Sequence, residues 1–389
     1  MATRSFYALP NSVDKQISKT AVESHLRAAR ELEKNSAHAR QLTAFVGLDG
    51  FVDDILHAVD KRESADKFTR VPTIAKFAER LAAAAGQSTN VELVSERTKL
   101  GGNGPIMSNA LASLGVQVTY LGALGYPTLH PVFTELAQRA TVLSITQPGF
   151  TDALEFDDGK IMLGKYQALQ GVTWENIVAH CGKDQFLKNF STASLVSFVN
   201  WTMLTNMSAI WETMLRDLCP QLKGPRRIMF FDLCDPEKRS ETDLRHALTL
   251  IAKFEQWFDV ILGLNEKESV SVGTALSLDT SDRTKDGLSK LALAINEQVP
   301  VSTVVVHPTA YALAASKGKV SLADGPFVTK PLITTGAGDH FNSGFCLGKL
   351  LGFDDSLSLL CGVGTSGYYV RTAKSPAVAE LAGFLSDWK

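Results

Sequence analysis

Short, nearly continuous apolar runs recur along the chain at residues 42–48, 118–121, 142–145, 195–199, 228–231, 260–264 and 303–306. Each has the length of a strand buried on both faces. Between most of them, helix-like stretches cover 206–218, 242–257 and 284–297, and an alanine-rich one covers 73–85. Apolar strands alternating with helices predict an α/β fold, a three-layer sandwich whose mainly parallel central sheet carries helices on both faces. A further small-residue helix is expected over 106–114, closing at Gly115.

The pattern changes in two places. Residues 152–165 read as a β-hairpin around Asp158-Gly159. Together with an alternating piece at 51–57 and the stretch 91–99, they predict a small β lid. Residues 12–42 are polar, with a helical stripe through Val22, Leu26, Ala29 and Leu32, so a helix outside the main sheet, packed on its surface, is expected. The expected organisation is an N-terminal helical extension, 1–42, followed by one domain with its lid, 43–389.

Composition removes several function classes. Of 389 residues, 45% are hydrophobic and 21% charged, with a net charge of −2. Nothing there points to nucleic acid or to an anionic membrane surface. The cysteines (Cys181, Cys219, Cys234, Cys346 and Cys361) form no C-x-x-C pair, which argues against structural zinc and for a reducing compartment. No apolar core of a signal peptide follows Met1, and no apolar run is long enough to span a bilayer. A cytoplasmic protein is expected.

The richest chemistry lies in Thr334-Thr335-Gly336-Ala337-Gly338-Asp339, with Phe341, Phe345, Leu347 and Leu351 at helical spacing just beyond. Glycines let the backbone approach a ligand, and a helix start supplies N–H donors for an anion. A carboxylate there cannot bind phosphate, but it can take a proton from an attacking hydroxyl. A Gly-rich turn with an Asp cap is the plain structural alternative. Its weight falls because Asp49, Asn200, Asp232 and Asn265 also sit at or just past strand carboxyl ends, where open α/β sheets bind ligands. Gly101-Gly102-Asn103-Gly104 can present backbone and the Asn103 amide to a polyhydroxylated ligand, with Asp49 and Asp53 as acceptors for its hydroxyls. Asn265-Glu266-Lys267-Glu268 reads first as an acidic helix start, although a carboxylate there also suits Mg²⁺. Asp232 and Asp235 read equally well as strand-end and turn residues, and His307 and His340 as satisfied polar groups. Gly362-Val363-Gly364-Thr365-Ser366-Gly367 fits G-x-G-x-x-G, but no clear strand precedes it and too little chain follows for a βαβ unit. Close helix packing explains its glycines better.

These residues resemble the ribokinase-like (PfkB) carbohydrate kinases. Gly101 to Gly115 is similar to that family's first signature and Thr334 to Asp339 to its second, with Phe341-Asn342 following; Asn265 to Glu268 matches its N-x-x-E, and Asp235-Pro236-Glu237-Lys238-Arg239 its Asp-Pro turn. The resemblance covers about 43–389. It implies a ribokinase-like sandwich and transfer of the γ-phosphoryl group of ATP, with Mg²⁺, to a hydroxymethyl group of a sugar-like substrate. In that reading Asp339 is the general base and Gly336, Ala337 and Gly338 form the anion hole. Glu268 holds the metal; Asn265, Thr334 and Asn342 serve the nucleotide; Asp49, Asp53, Gly102 and Asn103 bind the sugar. A homodimer through the lid is expected, with neither nucleic acid nor membrane as a partner. Other readings are a nucleoside kinase, using Phe51, Phe156 or Trp201 against the base, and a non-catalytic ligand-binding protein of the same fold. The chain departs from the family pattern at Ile333, where an Asp is usual, at Ile106, where an Asn is common, and at His307-Pro308-Thr309, where Thr-x-Gly is expected near the nucleotide. The Asp contributes to a potassium site in the family, so weak activation by K⁺ is expected.

Overall fold

The computed structural model describes residues 18–388. In chain order its strands are β1 (Thr43–Leu48), β2 (Phe51–Arg62), β3 (Phe68–Arg70), β4 (Leu93–Gly101), β5 (Gln117–Gly122), β6 (Thr141–Ser144), β7 (Gly149–Phe156), β8 (Gly159–Lys165), β9 (Leu195–Val199), β10 (Arg227–Asp232), β11 (Phe258–Leu264), β12 (Thr303–Val306), β13 (Tyr311–Ser316) and β14 (Lys319–Asp324). Nine of them form the main sheet in the order β14-β13-β12-β11-β10-β9-β1-β5-β6. Pairing is parallel from β12 through to β6. Each apolar run read as a strand is one.

Those runs are continuous because both faces are covered. In β1, Phe45 enters one core while Ala44 and Val46 enter the other. In β10, Phe231 and Phe230 divide in the same way. Alternate side chains of a strand point to opposite faces, so a sheet between two helical layers needs apolar residues at every position.

The sheet's antiparallel edge, β12-β13-β14, is an addition to the expected pattern. Its turn is Lys317-Gly318, with φ of 50° and 70°. Positive φ at both central residues is the type I′ arrangement that matches strand twist. The helices Trp174–His180 and Lys183–Thr192 are also additions.

The lid is a five-stranded sheet in which β3, β2, β7 and β8 are adjacent in that order and β4 pairs with β2. It contains the segments expected from sequence, with β2 running on to Arg62 and β4 shifted two residues later. β2 starts at Phe51, just after Asp49-Gly50, so the lid rises directly from the carboxyl end of β1.

The N-terminal helix, Lys19–Lys34, buries His25, Ala28, Ala29 and Leu32. The expected stripe is therefore rotated, with Val22 and Leu26 only half-buried. It packs on the C-terminal helix Val378–Asp387 rather than on the sheet. His25 stacks on Trp388 at 4.0 Å and its Nδ1 lies 2.9 Å from the Trp388 carbonyl oxygen. The part of the expected helix before residue 18 lies outside the described residues.

Gly362 lies within the helix Asp355–Thr372, where a Cβ would stand 2.7 Å from Phe341. Close packing on the helix Ala337–Leu350 accounts for it, not a dinucleotide turn. Among the described residues, no helix is long and apolar enough to cross a membrane.

Candidate active site

Five parallel strands end side by side. Just past or at their ends stand Asp49 (β1), Asn200 (β9), Asp232 (β10), Asn265 (β11) and His307 (β12). The helix Ala337–Leu350 begins opposite them, and its N-cap is Gly336, at φ 88°. That backbone favours glycine. A Cβ there would also press on Ile106, 3.1 Å away, so Ile106 packs against the loop. The first turn of a helix leaves N–H donors without intrahelical acceptors. The 336–338 stretch supplies that turn.

Asp339 is 7% exposed. Asn103 Nδ2 donates to its Oδ1 at 3.0 Å. Burial pushes its carboxyl up to about 8; the Asn103 bond opposes this, and the negative charges of Asp49 and Glu268 add to it. An ionised Asp339 is therefore a strong base for a carboxylate.

Protein groups fix the loop from behind. Tyr369 donates to the Thr335 carbonyl oxygen at 3.0 Å. His340 Nδ1 donates to the Gly336 carbonyl oxygen at 2.7 Å, and its Nε2 accepts from Ser375 Oγ at 2.8 Å. The two rings stack at 3.6 Å. Burial brings the His340 pKa down to about 4, so the ring is neutral and satisfied, as the sequence predicts. Thr334 is exposed, and its carbonyl oxygen accepts the Ala337 N–H at 3.1 Å.

Asp49 requires a correction. It is fully buried. Its Oδ1 accepts from Gly104 N at 2.9 Å, its Oδ2 accepts from Asn103 N at 2.9 Å and Asn200 Nδ2 at 2.8 Å, and Tyr120 OH, which donates to the Asp49 carbonyl oxygen, lies 3.3 Å from Oδ1. Three donors hold the carboxylate, and with no exposed surface it cannot meet a sugar hydroxyl. Asp49 instead positions the helix Asn103–Ser113, whose N-cap Gly102 has φ 97°. Asp53 differs. It is 5% exposed on the lid strand β2, paired with Lys99 of β4 and with its carboxylate against Gly101, and burial raises its pKa against the pull of Lys99. With Asn103 it remains a candidate for sugar hydroxyls.

Asn342 is the second correction. It is 1% exposed, and its Nδ2 donates to Asp232 Oδ2 at 2.8 Å. A side chain sealed between helix and sheet cannot meet a nucleotide; its role is to orient Asp232.

Glu268 carries out the capping reading in full. Asn265 Oδ1 accepts Glu268 N at 2.9 Å, while Glu268 Oε2 accepts Asn265 N at 2.8 Å. Its other oxygen accepts Asp235 N at 3.0 Å. Asp232 and Asp235 face the same cavity as Glu268 and Asp339. Burial raises the Asp232 carboxyl first, and the charges of Glu268 and Asp339 raise it further. Carboxylates that repel one another around a cavity form a donor set suited to a hard divalent cation. Asp232 and Asp235 thus line the cavity beside Glu268 and Asp339, where sequence reading had left them open between structural and functional roles. Their signal is backbone strain: Cys234 and Asp235 both have positive φ, at 60° and 54°.

Two cavities meet here. One of about 200 Å³ is lined by Asn103, Asp232, Asp235, Glu268, Gly338 and Asp339. The other, about 350 Å³, is lined by Glu266, Lys267, Arg283, Pro308 and Thr309. Asn265 and His307 line both. His307 corrects another expectation. Its Nε2 is buried and finds no hydrogen-bond partner among the described residues. The aromatics considered for stacking on a base, Phe51, Phe156 and Trp201, are all buried and line neither cavity.

A buried carboxylate at a glycine-flanked helix start, on a doubly wound sheet with a β lid, is the arrangement of a ribokinase-like carbohydrate kinase, a phosphotransferase acting on a hydroxyl group. The prokaryotic ketohexokinase family model matches residues 18–388, and the chain belongs to that family. It is similar to the ketohexokinase of Haloferax volcanii, 27% identical over 344 residues, with 88% of this chain and 90% of that protein covered. Among solved structures it is similar to Arabidopsis thaliana ribokinase complexed with ribose and ATP (TM-score 0.60, 15% identity, 88% of this chain and 98% of that one). Escherichia coli phosphofructokinase-2, in complex with substrates and products, gives a TM-score of 0.62 at 14% identity, covering 89% of this chain and 99% of that one. At such identities these structures establish the fold.

Proposed function

We propose that this chain transfers the γ-phosphoryl group of MgATP to a hydroxymethyl group of a ketohexose. The observation that carries this is the buried Asp339, held by Asn103 beside the 336–338 backbone donors. Asp339 takes the hydroxyl proton as the oxygen attacks phosphorus. The Gly336 and Gly338 N–H groups receive the charge on the phosphoryl oxygens, while the Ala337 N–H, expected to join them, is held by the Thr334 carbonyl oxygen. Asp53 and Asn103 orient the sugar, and the lid excludes water. Asn265 and Thr334 flank the nucleotide phosphates. Glu268, Asp232 and Asp235 would hold the cation, directly or through water; it would neutralise charge between the phosphates. Lys267 and Arg283 supply positive charge to the larger cavity. The cytoplasm is the expected location; the cysteines of the described residues are free thiols.

The test is ATP consumption over ketohexoses, aldoses, polyols and nucleosides, with Asp339→Asn as control. Turnover greatest on a ketohexose supports the proposal. A preference for nucleosides, or none at all above the control, defeats it.

Glu268→Gln is expected to raise the Mg²⁺ concentration for half-maximal rate several-fold, about 1 kcal/mol, while leaving sugar KM nearly unchanged. A magnesium titration matching wild type would remove Glu268 from the metal site. For monovalent cations the expectation is weak activation, because the Ile333 side chain offers no oxygen and Tyr369 and His340 already hold the Thr335 and Gly336 carbonyls. Replacing a bulky organic cation by K⁺ at constant ionic strength should raise the initial rate by less than tenfold, or about 1.4 kcal/mol. A larger rise overturns that reading.

The homodimer is placed at the lid, where Leu93, Met162 and Leu163 are exposed. Apolar side chains on a small sheet favour a partner. Light scattering at micromolar concentration should give twice the chain mass; a monomer defeats this assignment.

A further inference from the structure

The lid strands pair so that Lys99 of β4, Asp53 of β2, Thr151 of β7 and Gly164 of β8 stand in one row. Residues directly opposite one another share a face of the sheet. The row lies two positions after Phe51, where the lid leaves the core. Gly164 leaves a gap in it, and Tyr166 fills the gap: a Cβ at 164 would overlap Tyr166 Cζ and the hydroxyl oxygen. Phe51 packs edge-on against the same ring, with centroids 5.3 Å apart. The Tyr166 hydroxyl is therefore held over the polar row. On the core side it lies within electrostatic reach of Lys238 and Cys234. Cys234 lines the cavity that contains Asp339, so half-buried Tyr166 stands between the lid and the wall of that cavity. Packing requires the ring but not its oxygen, since phenylalanine would fill the same space.

The oxygen has a defined polarity. Buried Thr151 hydrogen-bonds through its side chain to both Asp53 and Tyr166. A threonine hydroxyl has one proton, and an ionised carboxylate only accepts. The Thr151 proton therefore goes to Asp53, and the Tyr166 proton goes to Thr151. Toward a ligand the Tyr166 oxygen is left as an acceptor. Burial opposes the ionised form of Asp53, and Lys99 in the same row favours it. We propose that Tyr166 is a specificity-determining residue: its oxygen accepts a hydrogen bond from one non-reacting hydroxyl of the sugar, while Asp53 accepts from a neighbouring one. This rests on the sugar-kinase reading above. Two acceptors fixed on one row select the configuration of the hydroxyls that meet them, because a sugar with that hydroxyl missing or inverted leaves an acceptor unpaired.

The test is steady-state kinetics of wild type, Tyr166→Phe and Thr151→Val on a ketohexose and on its analogues deoxygenated or epimerised singly at C3, C4 and C5. Tyr166→Phe keeps a ring on Phe51 and loses only the oxygen. Its sugar KM is expected to rise roughly tenfold, with kcat within about threefold and MgADP affinity, by calorimetry, within about twofold. Wild type is expected to reject the analogues altered at one of these carbons by about tenfold or more in kcat/KM. Tyr166→Phe should lose that preference and keep the others. Thermal melting establishes folding, and Thr151→Val, which leaves the ring in place but breaks the hydroxyl chain, must weaken the same preference and no other. An unchanged sugar KM and ranking in Tyr166→Phe, or equal losses on every analogue, overturn the proposal while the kinase reading stands. If wild type turns over no ketohexose, that reading itself falls and the proposal with it.

Discussion

Asp339→Asn is expected to lower kcat by about 10²- to 10⁴-fold on the best substrate, the range for a general base. The asparagine keeps an oxygen for the Asn103 amide at nearly the same place, so nucleotide binding by calorimetry should change little. A variant with full turnover would remove Asp339 from the chemistry. Two pH dependences accompany this. Only the ionised carboxylate accepts a proton, and burial lifts its pKa to about 8, so wild-type kcat/KM should rise with pH to a plateau above about 8. The sign for stability is opposite. The folded pKa lies above the unfolded one, so stability is fully present below the unfolded value near 4 and falls as pH rises to about 8. The asparagine variant carries no such penalty. Its melting temperature should match wild type at low pH and exceed it increasingly toward pH 8, by several degrees. Coincident melting curves at pH 8 would show that the carboxyl is not perturbed. Gain of stability with loss of turnover is the expected behaviour of a residue held in an unfavourable charge environment for catalysis.

Asp49→Ala has the second largest expected effect, and it appears first in stability. The substitution strands Asn103 N, Gly104 N and Asn200 Nδ2 in a site without solvent, while Tyr120 OH keeps the backbone carbonyl oxygen of residue 49. Buried donors without acceptors cost about 1–3 kcal/mol each, and part of that is recovered by relaxation. A net loss of about 3–5 kcal/mol, a drop of roughly 4–6 °C in melting temperature for a chain of this size, is expected. Turnover should fall too, since Asn103 lies in the same loop and a shift of about 1 Å in a positioned group costs on the order of 10²-fold. Asp49→Asn, which keeps one acceptor oxygen, should fall between. The opposite pattern, an unchanged melting temperature with a raised sugar KM, would restore Asp49 to the substrate.

Much of this protein was legible in its residue order because the physics is local or periodic. Apolar residues at every position of runs such as 195–199 and 260–264 can be satisfied only with both faces covered, and that selects a parallel sheet between helices. The Gly336-Ala337-Gly338-Asp339 stretch states its own conformation, since positive φ and a helix start follow from glycine placement. Resemblance to a known family then supplied the reaction class. The capping box of Asn265 and Glu268 was equally readable, because its partners are three residues apart.

Tertiary structure alone decided which acidic and imidazole groups are enclosed by partners and which line the cavities. Asp49 and Asp53 are four residues apart and look alike in sequence. One is held by donors from Asn103, Gly104 and Asn200 with no exposed surface, and the other lies on the lid. Asn342 and Asp232 are separated by 110 positions, yet one hydrogen bond buries the first and orients the second. The two histidines divided for the same reason. His340 found a carbonyl and a hydroxyl within reach, while His307 was left at a cavity wall with an unpaired nitrogen. Side-chain type fixes what a group can donate or accept. Only the fold fixes how many partners it meets, and a residue whose capacity is already filled has none left for a substrate.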